Sequence, residues 1–354
     1  ETTNNIYSSW AELHVNNGSG YLRLEDEVMT GGEFKMRGGR MQAYFEEALR
    51  KKNPWMLHEG QDFYNDTPRT EVVDGIDAEG NSIGKVSVTK RNYDHFVKLV
   101  PFWQLNLWGT KANRCPDIIP MTVQGIRTQR STSDFSTISN TAGKEQINWM
   151  RLACDSAKIN LLPFFEKAGM LRPIHTHIDS WNIITEAMIA DLKTYVADKR
   201  YPTPAEEINY INGHNYHIYR DKLKLNVASM QGTLNGDKVK IQHSIAQNAV
   251  GFETYNAQDE LIRITMYGLG SDDAHSYTQV LFPSSLDNSQ DAAYIMAVGY
   301  DGERKMVYQR YSSEEDALEQ RLGKLLSGAK ALLDMEDATL TKVGYYKAAS
   351  LTEL

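Results

Sequence analysis

The hydrophobic period changes once along this chain, near residue 200, and that change limits the architectures open to it. From Glu1 to about Arg200 apolar residues recur at helical spacing, whereas after "YPTPAEE" they alternate. A pattern of period 3.6 does not bury its apolar face as a strand, nor a period of 2 as a helix. The chain therefore reads as a multidomain α+β protein. The expectation is a mainly helical unit over 1–200, a small antiparallel β-sandwich over 201–312, and a helical tail over 313–354 that starts a further module.

Within the first stretch, "GGRMQAYFEEALRKKNPW" reads as an amphipathic helix stopped at Asn53-Pro54, because the residue before proline avoids the α region. "NYDHFVKLVPFWQLNLWG" is strongly apolar and closes on Gly109, a common helix stop. "KEQINWMRLACDSAKINLLPFFEKAG" supplies two more helices, broken near Pro163 and ended at Gly169. "SWNIITEAMIADLKTYVADKRYP" predicts a helix from a Ser180 cap to a Pro202 stop. Between them, "DGIDAEGNSIGKVSV" is a polar, Gly-rich insertion suited to a surface hairpin or loop.

In the second stretch, "KLKLNVASMQGTL" and "KVKIQHS" alternate on either side of Asn235-Gly236, a strong hairpin signal. "VGFETYNAQDELIRITMYG" repeats the pattern with a longer turn, and "AAYIMAVGYDGERKMVYQR" does so with Asp301-Gly302 at its tip. From Ser312 the helical period returns with a Ser cap and acidic first turn. "KVGYYKAASLTEL" looks like the start of another helical unit.

Charge and composition exclude some classes of function. A net charge of −8 argues against nucleic-acid binding, which needs clustered Lys and Arg. No run approaches the roughly 18 apolar residues of a membrane span. Cys115 and Cys154 lack zinc-finger or redox spacing and leave two readings open, one disulfide or two buried thiols.

Several short motifs suggest chemistry and then depart from it. "HTHID" (His175, His177, Asp179) resembles the HxHxDH metal motif of metallo-β-lactamase-like hydrolases, but Ser180 stands where the closing His belongs. After "AGMLRP", read as a helix end, it is expected to be a polar loop between helices. "HEGQD" at His58 starts like the zincin HExxH, in which two His four apart bind zinc, yet Asp62 replaces the second His. His214 and His217 in "GHNYHIY" are expected to serve packing or hydrogen bonding. No GxSxG, Walker A or dinucleotide fingerprint occurs.

The opening "ETTNNIYSSWAELHV" places Ile6, Trp10 and Leu13 on one helical stripe and Glu1, Asn5 and Ser8 on another. A helix under way at its first residue, without a cap, raises the expectation of a longer protein. Glu and Asn four apart lie on one helical face, the relation between a gluzincin's third zinc ligand and a residue supporting its ligand His.

"ETTNNIYSSW", "NYDHFVKLVPFWQLNLW" and "INWMRLACDSAKINLLPFFEKAGML", in this order, resemble the enhancin-like zinc metallopeptidases, a gluzincin family of viral enhancins and bacterial mucin-degrading peptidases. The resemblance covers roughly residues 1–200, and "AVGYDGER" is similar to the small β-domain that trails such peptidases in gut Bacteroidetes. It implies a zincin-type helical subdomain and hydrolysis of mucin-type O-glycoproteins outside the cell or at its surface. It also implies that Glu1 is the third zinc ligand and Asn5 a support behind the ligands. HExxH is absent from the sequence and is expected upstream of Glu1, so this chain alone is expected neither to be active nor to hold zinc tightly. The alternative expectation is a non-catalytic surface protein whose β-sandwich contacts glycan or a protein partner through Tyr210, Tyr216, Tyr219, Tyr255 and Tyr300. Strand aromatics are, however, mostly packing.

Overall fold

The computed structural model describes residues 5–15, 22–26, 39–52, 69–90, 95–132, 141–177, 180–271, 275–283 and 291–310, together with Leu322 and Leu325. The expected helical tail and the Asn53-Pro54 stop lie outside these residues.

The architecture is α+β. In chain order the helices are α1 (Asn5–Val15), α2 (Arg23–Asp26), α3 (Gly39–Tyr44, continued as a π-turn to Arg50), α4 (Val100–Asn106), α5 (Ile118–Thr132), α6 (Thr141–Ala157), α7 (Leu162–Lys167), α8 (Glu186–Lys199) and α9 (Tyr216–Asp221). Two hairpins interrupt them: β1 (Arg69–Ile76) with β2 (Ser82–Lys90), and β3 (Ile174–His177) with β4 (Trp181–Ile184). No helix among the described residues is long and apolar enough to cross a membrane.

After α9 come two facing antiparallel sheets. One has the order β10 (Leu261–Met266), β9 (Ala249–Asn256), β12 (Ala292–Gly299), β13 (Arg304–Gln309). The other has the order β11 (Tyr277–Leu281), β7 (Lys238–Gln242), β6 (Thr233–Asn235). Phe252, Ile295, Ala297 and Val307 of the first meet Val239, Ile241 and Val280 of the second in one core. The turn glycines Gly236 (φ +60°) and Gly302 (φ +82°) take the left-handed backbone that their hairpins require.

The four-stranded sheet is buried on its other face too. Val250, Ile264, Met266 and Val298 join Trp103, Trp108, Phe45 and Phe165 in the main core. Strand β9 is accordingly buried almost throughout, as expected of a strand covered on both sides. The edge strand β10 is closed by a side chain of α3. The Gln42 amide donates to the Ile264 carbonyl at 2.6 Å and accepts from the Met266 N–H at 2.9 Å. An unpaired sheet edge is thereby satisfied.

Several local expectations need correction. Helix α8 starts at Glu186 with Thr185 as its cap, accepting from Met188 N–H at 3.2 Å; Trp181–Ile184 before it is strand. Ser180 therefore caps nothing. The helix through Trp103 does not stop at Gly109 but runs on to Lys111. Gly109 is needed for packing, because a Cβ there would lie 2.6 Å from the Cys115 carbonyl oxygen. Pro163 opens α7 at its first turn rather than breaking a helix. On α1, Ile6 and Leu13 are buried as expected, but Trp10 is 46% exposed and stacks on His14, while Ser9 points inward.

Candidate functional site

Of the residues singled out in the sequence, Glu1, His58, Asp62 and Asp179 lie outside the described residues. Asn5 is the first described residue of α1, which packs against α2 and the 95–99 turn. "HTH" is not a loop between helices. It forms strand β3, paired with β4 through His175–Ile183 and His177–Trp181. Alternation puts both imidazoles on one face, edge-on to Trp181 at 4.9 and 5.1 Å. The Trp181 indole N–H in turn donates to the Asp74 carbonyl of β1 at 2.7 Å, so the pair helps to join two hairpins.

Both cysteines are free. Cys154 is buried and its thiol is pushed up to about 11 by burial; Cys115 is half-buried and also raised by burial. Neither has the lowered pKa of a reactive thiolate.

The densest polar chemistry lies where the helices meet the sheets, and its centre is a residue the sequence did not mark. Glu25 is fully buried between Leu22 and Leu24 on one turn and the "NGHN" loop on the other. Its Oε1 accepts from the Trp103 indole N–H at 2.7 Å and from the Gly213 N–H at 2.7 Å, and His214 Nε2 lies 3.6 Å from Oε2. Gly213 is required there, since a Cβ would fall 2.3 Å from Leu22 Cδ1. His214 stacks on His275 at 3.9 Å across Gly268, whose positive φ brings the two together.

Nearby, His243 stacks on Tyr267 at 4.1 Å and shares a 2.8 Å hydrogen bond with the Thr278 hydroxyl. Burial pushes the His243 imidazole down to about 4, so it is neutral at physiological pH. The placement of His214 and His217 agrees with packing and hydrogen bonding. His214 is buried, and burial followed by the nearby Arg220 lowers His217.

A second junction holds three of the tyrosines. The Glu253 carboxylate of β9 accepts two hydrogen bonds from Arg304 (2.7 and 3.0 Å) and one each from the Tyr210 and Tyr255 hydroxyls. Tyr219 donates to the Glu207 carbonyl at 2.8 Å and packs edge-on against Tyr300. Tyr210 and Tyr219 have no exposed surface and belong to the helical turns before the sheets; Tyr300 is 8% exposed. They cannot form a sugar-stacking face.

What these clusters do is hold the helical layer on the sheet. The carboxylates are capped by donors and sealed from solvent, so no side chain in them faces a substrate. Among the described residues no group of three or more His, Cys, Asp or Glu is placed to hold a metal ion.

No family model matches the chain, and no curated protein matches it. Among solved structures, it is similar to a metallopeptidase in complex with Tn antigen, at 22% identity and TM-score 0.43, over 61% of this chain and 41% of the other. It is also similar to a metallopeptidase from Bacteroides thetaiotaomicron, at 23% identity and TM-score 0.42, over 61% and 37%. The chain thus spans about two-fifths of the length of these structures. Likeness at this level carries no argument about chemistry.

Proposed function

We propose that this chain is the C-terminal portion of a secreted or cell-surface zinc metallopeptidase acting on mucin-type O-glycoproteins. In this reading Glu1 is the third zinc ligand and Asn5 supports the ligands from behind. The observation that supports it is a coincidence of order and packing. The three segments that resemble enhancin-like peptidases contribute Ile6 and Leu13, Trp103 and Leu105, and Phe164 and Phe165 to one continuous core. Segments far apart in sequence thus share one helical scaffold.

The residues present do not by themselves fit zinc. The sequence has no HExxH, and the described side chains assemble no donor set; a hydrolytic zinc site needs three protein ligands and an open position. No step of the hydrolysis is therefore assigned to the described residues. Their contribution is rigidity: α1 is anchored through Ile6 and Leu13, so a ligand carried at its N-terminal side is set by the core behind it.

The test compares this chain with the same chain extended by its natural upstream residues, measuring bound zinc by mass spectrometry and cleavage of an O-glycosylated peptide. The reading expects stoichiometric zinc and cleavage only in the extended protein, both lost in Glu1→Gln with the fold intact. Zinc and cleavage unchanged in Glu1→Gln would remove Glu1 from the site.

A further inference from the structure

A groove of about 770 Å³ opens at one seam of the sandwich, where β6 and β7 of one sheet approach the end of β13 in the other. Its volume lies within the roughly 300–1,000 Å³ typical of small-molecule sites. It lies away from Glu25, from Glu253 and from α1. None of the tyrosines marked in the sequence lines it.

The lining has a consistent chemistry. Lys240 and Arg310 supply two cations and no carboxylate lines the groove, although the protein carries a net charge of −8. A cationic concavity on an acidic molecule concentrates anions locally. Lys240 Nζ sits 3.8 Å from the centre of the Tyr277 ring and makes no ion pair with a carboxylate among the described residues. Arg310 lies over the Phe282 ring at 4.8 Å, and a planar guanidinium suits bidentate capture of a carboxylate or sulfate.

Gln231 and Gln242 add amides that can both donate and accept, which suits hydroxyl groups. Tyr308 supplies an aromatic wall, set edge-on against Phe282 at 5.2 Å. Gly232 is fitted closely to that wall. A Cβ there would lie 2.5 Å from Val239 Cγ1 and 2.9 Å from Tyr308 Cδ2, so no side chain can be added without displacing the lining.

We propose that this groove binds an acidic saccharide, with its carboxylate or sulfate toward Lys240 and Arg310, its hydroxyls toward the glutamines and an apolar ring face on Tyr308. This site is independent of the peptidase reading, because no residue in it depends on zinc or on Glu1.

The test is titration calorimetry and saturation-transfer NMR on the whole chain with glucuronic acid and N-acetylneuraminic acid. Glucose serves as the neutral sugar and acetate as the anion without a ring. The expected result is that at least one acidic sugar binds about tenfold more tightly than glucose or acetate. Lys240→Gln should weaken it about tenfold through loss of one charge-assisted hydrogen bond. Gln231→Ala, at an exposed position, should weaken it with unchanged circular dichroism. The proposal is overturned if neither acidic sugar binds at millimolar concentration, if acetate binds as tightly as the acidic sugars, or if both variants bind like the parent.

Discussion

Trp103 is where burial and hydrogen bonding can be separated by two substitutions at one position. Its side chain has no exposed surface and its indole N–H donates at 2.7 Å to the equally buried Glu25. Trp103→Ala removes a large core side chain, and such changes cost about 3–5 kcal/mol. It also takes one donor from a buried carboxylate, an interaction worth about 1.5–3 kcal/mol when one partner is charged. Against a total stability on the order of 5–15 kcal/mol, the expected outcome is a protein close to unfolding at room temperature.

Trp103→Phe keeps much of the volume and loses the N–H, so its cost should be mostly the second term, about 2 kcal/mol with a small cavity contribution. The assay is urea denaturation followed by far-UV circular dichroism and tryptophan fluorescence, with the slope checked for change. Trp103→Phe should lower the midpoint at constant slope. Glu25→Gln should lower it too, and the double variant should lose less than the sum of the two. Two results would refute the reasoning: Trp103→Ala within 1 kcal/mol of the parent, or fully additive losses for the Trp103–Glu25 pair.

Other outcomes follow from the junction. Burial alone would raise the Glu253 carboxyl, but the Arg304 guanidinium and two tyrosine hydroxyls outweigh it and hold its pKa below the ordinary carboxylate value. A lowered folded pKa stabilises above the unfolded value and is lost as pH falls through the folded one. Acid unfolding below about pH 4 should therefore lose this contribution, and Arg304→Gln should flatten that part of the stability–pH curve while costing about 3–5 kcal/mol at pH 7. His243 has its pKa depressed by burial to about 4. Its neutral form is favoured by folding, so stability should fall as pH drops from about 6.5 toward 4, by up to about 3 kcal/mol, and His243→Phe should shrink that slope in pH-dependent melts. Gln42→Ala leaves the Ile264 carbonyl and Met266 N–H of β10 without their side-chain partner. A loss of about 1–3 kcal/mol is expected, with faster hydrogen exchange at the Met266 amide than at Phe252 on β9.

The parts of the fold that were legible in sequence are those governed by neighbours along the chain. Asn235-Gly236 and Asp301-Gly302 marked their hairpins because only a few residue types tolerate positive φ. "DGIDAEGNSIG" announced β1–β2 through its turn residues; Asp77 accepts from the Asn81 and Glu79 N–H groups. Misread elements are those where two local readings compete. "WNII" fits the end of a strand or the start of a helix, and the Thr185 cap decided between them. Gly109 looked like a stop because its reason, the close Cys115 carbonyl, comes from a distant turn of chain.

The candidate chemistry was less legible still. Glu25 sits in an ordinary "RLED" stretch, and its partners are 78 and 188 residues away. Tyr210 and Tyr219 suggested a recognition face, yet the buried carboxylate and carbonyl that accept from them turn them inward. The groove at Lys240 and Arg310 combines three separate stretches, none of which carries a recognisable motif.

The central claim is that Glu1 belongs to a zinc site completed by residues not in this sequence. Reading the coding DNA immediately upstream of the Glu1 codon tests it most directly. The account predicts an in-frame HExxH shortly before Glu1, close enough for both segments to share one zinc. A start codon or a signal peptide there, with no such motif between it and Glu1, would contradict the account and leave the acidic-sugar groove as the chain's remaining functional proposal.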